Sequence, residues 1–63
     1  MAPDMPPVAY ELYEVCVALA EARRFVRVRQ SDATLAAQDV LAHYPGWGVQ
    51  SIHRWAGEGW VRA

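Results

Sequence analysis

The chain has 63 residues, 54% of them hydrophobic and 21% charged, and a formal net charge of −1. This allows one domain with a small core, excludes an intrinsically disordered composition, and departs from the basic balance usual in free-standing nucleic-acid binders. A single cysteine, Cys16, excludes an internal disulfide, and no run approaches the roughly 18 apolar residues of a membrane span.

Residues 1–7 hold three of the four prolines and are expected to form an extended leader to a single domain over 8–63. No secretory pattern marks this start, so a cytoplasmic protein without membrane attachment is expected. From Val8 to about Arg24 the residues Val8, Leu12, Val15, Leu19, Ala22 and Val26 recur at steps of four and three, which predicts an amphipathic helix. Early acids and the late Arg23 and Arg24 suit its dipole. Its stripe serves either as an intramolecular core face or as a subunit interface. Cys16, beside the stripe, is expected to be a small buried apolar residue. Tyr10 and Tyr13 widen the apolar surface.

Phe25 to Gln30 alternates apolar residues with arginine, a strand period, although the first helix could instead run on to Arg29. Ser31 or Asp32 then caps a helix over 33–44, which Pro45-Gly46 stops. A third helix over 49–56 is expected, with Val49, Ile52 and Trp55 or Ala56 inward and Gln50, Ser51, His53 and Arg54 outward. Gly57 and Gly59 end it, and Trp60 and Val61 begin an extended tail. The expected fold is mainly α: a small three-helix helix-turn-helix domain, with room for a minimal two-stranded winged-helix pairing of 25–29 with 59–63.

The ending Arg54-Trp55-Ala56-Gly57-Glu58-Gly59-Trp60-Val61-Arg62-Ala63 fits the pattern R-W-x-x-E-G-x-[LV]-x-A. Leu41, Ala42, Tyr44 and Gly46 fall where a first helix and its turn would put apolar residues and a glycine. Over residues 35–63 the chain thus resembles the winged helix-turn-helix of the MerR and phage excisionase group. It departs from that pattern at Trp47-Gly48, where a small apolar residue and a capping serine are usual. The resemblance implies a small sequence-specific DNA-binding regulator of transcription or recombination directionality, of phage or bacterial type. Helix 49–56 would enter the major groove of double-stranded DNA. Gln50 would read adenine, Arg54 guanine, and Ser51 and His53 would lie beside them, while Arg27 and Arg29, with Arg23 and Arg24, neutralise phosphates. A homodimer or a larger protein partner is expected, because one copy makes few contacts.

The alternative is a protein-interaction module (an adaptor, inhibitor or docking domain) using Tyr10, Tyr13 and an exposed Trp47 as anchors. Trp55 and Trp60 are expected in the core. His43 and His53 lack a third ligand nearby, and no nucleophile–base motif accompanies Cys16. No enzymatic activity, cofactor, metal or small-molecule substrate is expected.

Overall fold

The computed structural model describes residues 9–63; the leader 1–7 and Val8 lie outside them. The segment expected to be the first helix is instead a β-hairpin. Strand β1 (Glu11–Leu19) pairs antiparallel with β2 (Ala22–Gln30), from Leu19 opposite Ala22 to Glu11 opposite Gln30. The residues explain this outcome. Val15, Val17, Val26 and Val28 are β-branched, which favours a pleated surface over a helix. With Tyr13 they alternate along the two strands and line one side. The connection is the two-residue turn Ala20–Glu21, with Ala20 at φ 53, the positive value required at the first central position of a type II′ turn.

Helix α1 (Ala33–His43) follows, close to the expected 33–44. The Asp32 carboxylate accepts the Leu35 backbone N–H at 2.8 Å and caps the first turn. Pro45 and Gly46 end the helix, with Gly46 at φ 86, a conformation that suits glycine. The expected third helix over 49–56 is strand β3 (Gly48–Trp55), paired antiparallel with β1. Strand β4 (Trp60–Arg62) returns beside β3 through a turn containing Gly57 at φ 91.

The sheet order is therefore β2-β1-β3-β4. Both β2 and β3 are antiparallel to β1, so they run parallel to each other with β1 between them, and α1 crosses from one to the other. This is a split β-α-β unit extended by two strands. It overturns the mainly α helix-turn-helix fold and the winged pairing of 25–29 with 59–63: β2 pairs with β1, and β4 pairs with β3. No helix among the described residues is long and apolar enough to cross a membrane.

The core lies between α1 and one face of the sheet. Tyr13, Val15 and Val17 from β1 meet Ala36 and Val40 of α1, with Val26, Val28, Leu41, Tyr44, Trp47 and Ile52 packed around them. Gln30 of β2 donates its amide to Asp39 of α1 at 3.4 Å, tying the strand to the helix. The 11 residues of α1 reach about 16 Å. The nine of β1 reach about 30 Å. One helix therefore covers part of one face and none of the other.

Candidate functional site

Side chains alternate along a strand, and cross-strand partners share a face. The register therefore assigns each residue a side. Val15 lies opposite Val26 and Ile52 on the helix side. The open side then holds Leu12, Glu14, Cys16 and Ala18 of β1, and Arg23, Phe25, Arg27 and Arg29 of β2. From the other end of the sheet come Ser51, His53 and Trp55 of β3, with Trp60 and Arg62 of β4. Gln50 joins them: the Cys16 thiol donates to its side-chain oxygen at 3.4 Å.

Two features set this face apart. The first is aromatic surface left in solvent: Phe25 is 67% exposed and Trp55 is 42% exposed. Trp60 packs edge-on against Trp55, with ring centroids 5.3 Å apart. The second is charge. Four arginines (Arg23, Arg27, Arg29 and Arg62) share the face with one carboxylate, Glu14. The remaining described acids lie elsewhere: Asp32 and Asp39 at the helix, Glu11 on the helix side beside Arg54, and Glu21 and Glu58 in turns. A chain of almost balanced charge is thus strongly polarised.

Arg27 links the two features. Its Nε donates to Glu14 at 3.1 Å, and its guanidinium lies 5.1 Å from the Trp60 ring centroid. The Arg27 and Trp60 side chains therefore reach toward each other over the two strands between them. Both ion-pair partners are solvent-accessible, so the pair adds at most about 1 kcal/mol to stability. Its clearer effect is positional: it holds a planar cation near the Trp60 indole. Cys16, opposite Phe25 and Ser51, is buried despite facing the open side.

The expected DNA-contacting residues Arg27, Arg29, Ser51 and His53 are brought onto this one face by strand alternation, and Gln50 joins them at the register shift between β1 and β3. Arg54 is not: it lies opposite Tyr13 and points to the helix side, with Nε 3.7 Å from a Glu11 carboxylate oxygen. The expected partner anchors separate. Tyr10 is 62% exposed ahead of β1, whereas Tyr13 is a core residue at 4%. Burial, then its hydrogen bond to Glu11, raises the Tyr13 phenol above its ordinary pKa. Trp47 is half-buried against the core, edge-on to Tyr44 at 5.5 Å and capped by Arg24 at 5.9 Å. The placement of Trp55 and Trp60 in a core is corrected as well. They occupy strands on the side away from α1, where no layer of the described residues packs on them. Of the other arginines expected to meet phosphates, Arg23 lies on this face and Arg24, opposite Val17, lies on the helix side. Phe25 and Arg62 were not singled out from the sequence as contact residues, and the alternation of residues 25–30, which puts Phe25 in phase with Arg27 and Arg29, would have marked the first.

No protein-family model, curated protein or solved structure matches this chain.

Proposed function

We propose that the open face of the sheet binds single-stranded nucleic acid. The observation that carries this reading is the meeting of Phe25, Trp55 and Trp60 with four arginines and one carboxylate on a face that α1 leaves bare. A single strand offers both things this surface can use. Its unstacked bases lie flat on aromatic rings and guanidinium planes, and its phosphates pair with arginine. Gln50, Ser51 and His53, between the aromatic stations, supply hydrogen-bonding groups for base edges.

Other occupants fit less well. Residues 49–56, expected to be a groove-reading helix, lie largely in strand β3, and α1 (ATLAAQDVLAH) carries no arginine or lysine with which to meet a duplex. A second copy docked face to face would set one arginine cluster against another, which is unfavourable in a desolvated interface.

The test is fluorescence anisotropy with a labelled oligothymidylate or oligouridylate of about ten nucleotides, beside a duplex of equal length. On the scale of non-specific complexes, a dissociation constant of about 10–100 μM is expected at low salt. Four phosphate contacts to a single strand set a log–log salt slope of up to about −3. Trp55→Ala and Phe25→Ala should each weaken binding by about tenfold, in line with the loss of one stacked base. Preferential binding of the duplex, or no binding at low salt by folded protein, would overturn the proposal.

A further inference from the structure

Strand β2 forms one border of the sheet, and among the described residues nothing pairs with its outer edge. It is nine residues long, contains no proline, and pairs with β1 without a register shift, whereas β1 and β3 shift between Cys16 and Val17. A long regular edge of this kind invites pairing with another chain. Its side chains state which chain. On the inner side Arg27 lies opposite Glu14, but Arg29 lies opposite Leu12 and Arg23 opposite Ala18. Neither Arg23 nor Arg29 makes an ion pair among the described residues.

Pairing with a second β2 is disfavoured by the same arginines. An antiparallel dyad at Val26 sets Arg23 against Arg29. A dyad at Arg27 sets that residue against its own copy, and one at Phe25 sets Arg23 against Arg27. Like charges directly opposite are destabilising.

We propose that the β2 edge is a docking site for an extended acidic segment of a partner protein, which adds as a fifth strand. Main-chain hydrogen bonds supply attachment, and alternate side chains supply selectivity. The favoured segment places carboxylates opposite Arg29, Arg27 and Arg23 and apolar β-branched residues opposite Val28 and Val26. The arginine row thus discourages self-association while admitting an acidic strand. The attachment is the backbone edge of β2, whereas Arg23, Arg27 and Arg29 also belong to the open face; slowed exchange of the outward β2 amides reads the edge alone, whatever the outcome with nucleic acid.

The probe is a blocked peptide as long as β2, with glutamate and valine in that alternation, titrated into isotope-labelled protein and followed by amide shifts and hydrogen exchange. A twin peptide with lysine for glutamate is the control. With the glutamate peptide, alternate β2 amides should slow in exchange by at least tenfold, an effect that salt reduces; the lysine twin should leave them unchanged. In the double variant Arg23→Glu/Arg29→Glu the preference should reverse, with Val15 and Val17 amide shifts reporting that the fold is retained. Equal response to both peptides, no slowing of β2 amides, or changes confined to arginine side chains would each overturn the proposal. The peptide comparison on the unmodified protein decides the matter even if the double variant fails to fold.

Discussion

The two faces of this sheet are built from the same strands, residue by alternate residue, and they are opposite in character. The helix side carries Tyr13, Val15, Val17, Val26, Val28 and Ile52, packed on Ala36 and Val40. The open side carries Phe25, Trp55 and Trp60 among four arginines, with no layer of the described residues packed on top. Apolar side chains are present on both. The difference lies in shape and company: branched aliphatics that interlock under a helix, against flat rings laid beside flat cations. Burying one phenylalanine is worth about 1.5–3 kcal/mol, yet Phe25 stands in solvent. Stability in this small domain comes from one face, and the other is left free to make contacts.

That contrast can be broken or sharpened by substitution. The largest effect is expected in the core: Val15→Ala and Val17→Ala should each cost about 2 kcal/mol in urea denaturation, while leaving oligonucleotide affinity intact under folding conditions. Removing the cap of the one covering helix, by Asp32→Ala, should cost about 1 kcal/mol by the same measurement. Ala20→Gly should raise stability by about 1 kcal/mol, because it relieves a left-handed alanine in the hairpin turn that both faces share. On the open face, Phe25→Ala should alter stability by no more than about 0.5 kcal/mol, and a larger loss would show that this ring is structural.

The smallest effect is a pH dependence. The Tyr13 pKa is raised in the folded protein above its ordinary value of 10.0, so between the two values the folded state holds a proton that the unfolded state has lost. Stability should therefore fall as pH rises from about 10 toward the folded pKa. Tyr13→Phe should remove that component of the decline in alkaline denaturation profiles.

Helix α1 was legible in the sequence because its signals are local: Asp32 caps it and Pro45-Gly46 stops it. The strand period of residues 25–30 was legible for the same reason. The hairpin was obscured by a coincidence of spacing. Val15 and Leu19 are four apart and share a strand face, Leu19 and Ala22 are three apart and partners across the turn, and Ala22 and Val26 are again four apart. A two-residue hairpin turn thus reproduces the four–three–four rhythm of a helix stripe. Among the described residues of that stripe, only Leu12, on the opposite face, breaks it. Strand β3 was disguised differently. The register shift inserts one extra residue, so Val49 and Ile52, three apart, both face the helix side opposite Val17 and Val15. A bulge converts strand alternation into apparent helical spacing. The expected contact residues Gln50, Ser51 and His53 nonetheless share a face with Arg27 and Arg29, because polar residues on a one-sided sheet gather where no layer covers them.

The most direct measurement is a nuclear magnetic resonance titration with a short single-stranded oligonucleotide, following the three indole N–H signals together with the backbone amides. The indoles of Trp55 and Trp60 and the amides around Phe25 and Arg27 should shift, while Trp47, packed on the helix side, stays still. Shifts centred on Trp47 and the outer surface of α1, with Trp55 and Trp60 unmoved, would contradict the assignment of the open face as the binding surface.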